Sequence, residues 1–154
     1  MIAKMAMQIP PRSGSGYPEP FRSRVLPRVK HALGNAFGLE HIGVNLTILP
    51  PGVESSMRHW HEHEDELVYV IEGELLLRTG EGEEHLTSGM VAGFKAGVPN
   101  AHQFVNCGAV PAKYLEISNR APDIDRVHYA DVDLALIFDA QGNYTYTRKD
   151  GTPY

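Results

Sequence analysis

Cysteine is nearly missing from this sequence: Cys107 stands alone among 154 residues. An internal disulfide is therefore excluded, and a reducing, cytoplasmic setting fits. The thiol itself is expected to be half-buried at a strand end, without a role. No apolar run approaches the length of a membrane span. The first residues, Met1 to Pro11, lack the continuous apolar segment of a secretory leader. Positive charge is not in excess either; 14 Lys and Arg against 19 Asp and Glu leave a net charge of −5. A nucleic-acid partner, which asks for a basic face, is not expected. Helical periodicity does not survive over any useful length, and no repeat or second domain is visible.

What is present suits one domain of an ordinary globular protein, with 42% hydrophobic and 21% charged residues. Residues 1–41 read as an N-terminal arm. Pro10-Pro11, Pro18, Pro20 and Pro27 rule out a long helix there, and Gly34 and Gly38 limit the stretch after Val29 to a helical turn. The basic residues Arg22, Arg24, Arg28 and Lys30 of this arm are expected to be solvated. From Ile42 the pattern is all-β. Ile42, Val44, Leu46 and Ile48 alternate with smaller or polar residues and end at Pro50-Pro51-Gly52. Further strands are expected at 55–61, 67–71, 75–77, 83–87, 90–94, 102–107, 112–118, 126–129 and 134–138. A turn over Asp139–Asn143 should open a C-terminal hairpin and tail, residues 139–154. Short strands separated by frequent turns mean an antiparallel sandwich or barrel, here residues 42–138.

The eight histidines are the one compositional feature that asks for chemistry. Three alternate within Arg58-His59-Trp60-His61-Glu62-His63, and Glu66 follows at the head of an apolar strand. Residues two apart on a strand share a face, so His59 and His61 present two imidazoles to one surface. Two imidazoles and a carboxylate on one wall are a divalent-metal site that needs a further ligand. His102 is the best candidate, since it opens the strand that carries Phe104 and Asn106. His61 and His63 form a competing register, and Glu64 and Asp65 compete with Glu66. His59/His61 is preferred because His63 lies in a charged run, and Glu66 because Val68 and Val70 enclose its face. Arg58 and Trp60 should face the other way, with Trp60 packed under the arm or at a dimer contact. His85 reads as a surface residue. His31, His41 and His128 read as structural or exposed, and Tyr69, Tyr114 and Tyr129 mainly as core. Lys95 is the only attractive inward cation for a phosphate.

These residues resemble the cupin superfamily. His59-Trp60-His61, four residues, Glu66, six residues and Gly73 match the first cupin motif, with Gly52 one residue too far upstream. Gly89, five residues, Lys95-Ala96-Gly97, then His102, three residues and Asn106 match the second in part. Lys95 stands where proline is usual, and the gap from Gly97 to His102 is two residues longer. The resemblance covers about residues 42 to 120 and is nearest to small stand-alone bacterial cupins, some labelled sugar-phosphate isomerases by similarity. It implies a double-stranded β-helix (jelly-roll) barrel holding Zn, Fe, Mn or Ni through His59, His61, Glu66 and His102. It implies a small-molecule ligand: a sugar or sugar phosphate for isomerisation, or an enol or hydroxy acid for dioxygenation. A non-catalytic binding or sensor protein is the alternative, and a metal-free barrel a third. No catalytic residue is named by the sequence. A homodimer is expected, because Leu67, Tyr69 and Ile71 give the central strand a second apolar face.

Overall fold

A computed structural model describes residues 2–138 and 143–154. Among the described residues are one short α-helix, α1 (Phe21–Val25), and thirteen strands. In chain order these are β1 (Pro11–Ser13), β2 (Val29–Ala32), β3 (Ile42–Leu49), β4 (His59–His61), β5 (Glu66–Glu72), β6 (Glu74–Thr79) and β7 (Gly82–Thr87). The remainder are β8 (Val91–Phe94), β9 (Gln103–Val105), β10 (Ala112–Asn119), β11 (Val127–Tyr129), β12 (Ala135–Phe138) and β13 (Tyr144–Thr147). Every strand pairing is antiparallel, as expected of a jelly roll.

One layer is a six-stranded sheet in the order β1-β2-β3-β10-β5-β8. The rest forms a four-stranded sheet, β13-β12-β11-β4, and a three-stranded sheet, β7-β6-β9. Isolated bridges Glu54↔Val105 and His59↔His102 stitch these two together between β9 and β4. Alternation on β5 shows why the interior forms. Val68 and Val70 point inward and are buried, whereas Leu67, Tyr69 and Ile71 point outward and are each 41% exposed. The inward set joins Leu49, Leu75, Leu77, Leu86, Phe104, Ala112 and Tyr114 in one core. Each such side chain contributes about 1.5–3 kcal/mol by leaving water. The β5–β6 turn passes through Gly73 at φ +79°, with Ala112 Cα only 2.9 Å from where a Cβ would lie.

The N-terminal segment contributes more than a loose arm. Its strands β1 and β2 extend the large sheet, with Lys30 opposite Thr47 on the inward face. Helix α1 lays Phe21 and Val25 on a second core with Tyr17, Met57, Tyr129 and Leu134. A 3-10 turn at Asn35–Phe37 fills the interval between Gly34 and Gly38. Some expectations change. The strand expected over 55–61 is regular only from His59 to His61, because residues 55–58 bend. Tyr69 belongs to the exposed face, not the core. Cys107 is exposed, beyond the end of β9, with His85 Nδ1 3.9 Å from its sulfur. The expected turn at Asp139–Asn143 lies, except for Asn143, outside the described residues. No helix among the described residues is long and apolar enough to cross a membrane.

Candidate metal centre

The four residues come from both layers and meet inside. His59 and His61 face inward together from β4, two residues apart. His102 precedes β9 and exchanges two backbone hydrogen bonds with His59, N to O at 3.1 and 2.8 Å. Such a pair puts its two side chains next to each other on one face of the sheet. The ring centres are 4.9 Å apart, and His61 lies 5.1 Å from His59. Glu66 reaches across from the first residue of β5. Its Oε2 is 3.0 Å from His102 Nε2, 3.7 Å from His61 Nε2 and 4.0 Å from His59 Nε2.

The ring nitrogens are sorted by their outer partners. His59 Nδ1 donates to the Met57 carbonyl at 2.9 Å, and His61 Nδ1 donates to Asp125 Oδ2 at 2.6 Å. A carbonyl or carboxylate can only accept, so Nδ1 carries the proton in each ring. The Nε2 lone pairs are then left facing Glu66. This is how outer hydrogen bonds fix the tautomer of a metal-ligating imidazole. Phe94 stacks on His102 at 3.6 Å between ring centres and holds its plane. Burial pushes His59 down to about 4, although Glu66 pulls the other way. Burial alone would raise Glu66, but His102, His59 and His61 around it bring it down to about 2. Near neutral pH the pair is thus a neutral imidazole and a charged carboxylate, the states that bind a cation. Glu66 Oε2 is buried with the three Nε2 atoms as its nearest polar neighbours, of which only that of His102, at 3.0 Å, is within hydrogen-bonding distance; a cation between them would satisfy the oxygen and the other two lone pairs together.

The donor set therefore fits a divalent ion: His59, His61 and Glu66 could hold one, with His102 beside them. His63 stays outside the cluster, 44% exposed at its side chain and 4.0 Å from Glu62. A second grouping, His61, Glu64 and Asp125, lies behind the first. Its Asp125 oxygens are already taken by His61 Nδ1 and by the His63 amide at 2.8 Å, and Glu64 accepts from the Ala121 amide at 2.7 Å. It reads as support for His61.

Two cavities flank the ligands and share Glu66 and His102. One, of about 210 Å³, is also lined by Tyr17, Arg28, Lys30, Ser56, Phe104 and Glu116. The other, of about 240 Å³, is more apolar and is lined by Trp60, Glu64, Phe94, Lys95, Val98 and Asn100. Arg28 and Lys30 were expected to be solvated; instead they help to enclose the first cavity. Lys95 lines only the second. Lys30 Nζ reaches Glu116 at 2.6 Å. Glu116 had a signal in the sequence, since it alternates with Ala112 and Tyr114 at inward positions of β10. Asp125 had none, because it lies in the loop between β10 and β11. Arg58 pairs with Asp131 outside the cavities, whereas Trp60, expected to face away from the histidines, lines the second cavity and stacks on His128 at 4.2 Å. His31 is buried, with Nδ1 donating to the Ile9 carbonyl at 2.6 Å.

A family model for the cupin domain matches residues 45–118. Among solved structures, a sugar phosphate isomerase from a cupin superfamily of Silicibacter pomeroyi is 42% identical. The match covers 96% of this chain and 93% of that one, with a TM-score of 0.89. A protein of Acidithiobacillus ferrooxidans, provisionally described as a sugar phosphate isomerase, is 32% identical over 80% of this chain and 77% of its own, with a TM-score of 0.71. The polyketide cyclase of Streptomyces resistomycificus shares the fold alone, at 17% identity over 77% and 79% of the two chains and a TM-score of 0.61. No curated protein matches the sequence. The chain belongs to the cupin superfamily.

Proposed function

We propose that this cupin is a metal-dependent isomerase of a small hydroxy-carbonyl compound, a sugar or sugar phosphate. The observation that carries the reading is the 210 Å³ cavity in which His59, Glu66 and His102 face a second carboxylate, Glu116. His59, His61, Glu66 and His102 would hold the ion. When bound, it polarises the substrate carbonyl and stabilises the charge that develops as the neighbouring carbon loses its proton. Glu116 takes that proton and returns it to the former carbonyl carbon, while the hydroxyl proton moves to the carbonyl oxygen. No oxidant or water is consumed. Lys30, hydrogen-bonded to Glu116, holds the carboxylate in place. Ser56 and Tyr17 offer hydroxyls to the substrate, and Val68 and Phe104 shape an apolar wall. The names of the Silicibacter and Acidithiobacillus proteins agree with this reading.

Deuterium exchange tests it. Aldose and ketose phosphates are incubated in heavy water with protein carrying added manganese, zinc, iron or nickel. Carbon-bound deuterium should appear next to the carbonyl, and Glu116→Gln should abolish it while the protein still takes up metal. Oxygen consumption with an enolic acid, and no exchange with any sugar, would replace isomerisation by dioxygenation.

A further inference from the structure

The two cations and two carboxylates of the first cavity balance in number but are not paired one to one. Its ionisable side chains other than histidine and tyrosine are Arg28, Lys30, Glu66 and Glu116. Lys30 and Glu116 neutralise each other at 2.6 Å, and Glu66 faces the imidazoles. Arg28 is left over. Its guanidinium donates to the Ser55 carbonyl, a neutral acceptor, and lies 5.9 Å from the centre of the Tyr17 ring. Among the described residues no carboxylate forms an ion pair with it. A guanidinium has five N–H donors in a planar fork, so the carbonyl leaves most of them free. A half-buried cation without a counter-ion, on the wall of a polar cavity, favours an anion there.

We infer that Arg28 is the anion anchor of this cavity and holds an oxyanionic group of the substrate, a phosphate ester or a carboxylate. The assignment rests on the reading of this cavity as the substrate site. The substrate is then a short hydroxy-carbonyl compound with one charged end, because about 210 Å³ is small for a ligand pocket. The anchor lies immediately before β2, so the N-terminal segment serves specificity as well as extending the sheet. Lys95 is the rival cation, but it lines the other cavity together with Trp60.

Trp60 is the only tryptophan, and this makes the two cavities separable by spectroscopy. The full-length protein, as purified and after chelator treatment, is titrated at constant ionic strength with inorganic phosphate and, separately, with acetate. Nuclear magnetic resonance follows the Arg28 side-chain N–H, the Tyr17 ring and the Trp60 indole. The expected result is a saturable shift at Arg28 and Tyr17 with the Trp60 indole unmoved. A response to phosphate alone identifies a phosphate ester, and a response to acetate alone a carboxylate. Arg28→Gln should weaken binding about tenfold or more, the usual loss for a charge-assisted hydrogen bond. Arg28→Lys should keep part of the affinity, and the exposed Arg24→Gln should keep all of it. The wild-type shifts and Arg28→Lys decide the matter even if Arg28→Gln unfolds. No saturable response to either anion, a response centred on Trp60, or equal binding by Arg28→Lys and wild type overturns the assignment. Binding by the chelator-treated protein is independent of the metal. It would therefore survive a failure of the isomerase reading, and the two failures are distinguishable.

Discussion

Asp125 is the residue through which the candidate centre is most sharply tested from outside. Its side chain is buried at 5% exposure; one oxygen accepts from His61 Nδ1 at 2.6 Å and the other from the His63 amide at 2.8 Å. In Asp125→Asn the single amide oxygen can serve only one of these donors. If it stays with the His63 amide, the NH₂ faces His61 Nδ1. The imidazole must then shed its proton there and carry it on Nε2, the atom aimed at Glu66. Loss of such an outer partner typically weakens metal binding about 10- to 100-fold. Each tenfold loss removes about 1.4 kcal/mol of the stabilisation that bound metal gives at fixed free metal. For a chain of this length that is about 3–6 °C of melting temperature. The variant also loses a charge-assisted hydrogen bond, so metal-free protein should melt lower by itself. The informative quantity is therefore the difference between metal-loaded and metal-free protein, measured for each variant beside a competition titration against a coloured chelator. Asp125→Asn that is folded and binds metal as tightly as wild type would refute the claim that Asp125 sets the His61 tautomer.

Metal-free protein should lose stability on acidification in two windows. His59 is depressed to about 4, so the unfolded chain binds its proton first; stability falls as pH drops from about 6.5 to about 4. Glu66, depressed to about 2, acts with the same sign below about 4.5, so that denaturation midpoints should continue to fall there. His59→Gln should flatten the upper window and, because His59 helps to hold Glu66 down, also shrink the lower one; an unchanged slope between about 6.5 and 4 would contradict the burial argument. Gly73→Ala should cost about 1–2 kcal/mol for the left-handed backbone and more for the approach to Ala112. Gly89→Ala, at φ +90° with open space around it, should cost only the first part in urea denaturation.

Much of this site was legible because strand periodicity places side chains. Alternation put His59 and His61 on one face, and the switch to an apolar run at Leu67 put Glu66 at the head of the next strand. His102 was legible as a ligand type, but its bridge to His59 is a tertiary pairing that no local pattern encodes. The same limit hid Arg28 and Lys30. Read locally they are basic residues in a proline-rich segment; only the antiparallel pairing of β2 with β3 turns Lys30 inward. Asp125 lies in a short loop with no period to interpret. Tyr69 was misread because an aromatic in an apolar strand resembles core, whereas its register opposite Leu115 places it on the outer face. Residues 55–58 alternate acceptably as a strand, yet the chain bends there to bring Met57 O and Ser56 to His59.

The most direct measurement is anomalous diffraction from crystals grown with manganese, iron, nickel or zinc, on wild type and on His63→Ala. The account predicts in both a single peak at about 2.0–2.2 Å, the bonding distance for zinc, from His59, His61 and His102 Nε2 and a Glu66 oxygen. No peak there with any of these ions, or a peak bound by His63 or held between Glu64 and Asp125, would contradict it.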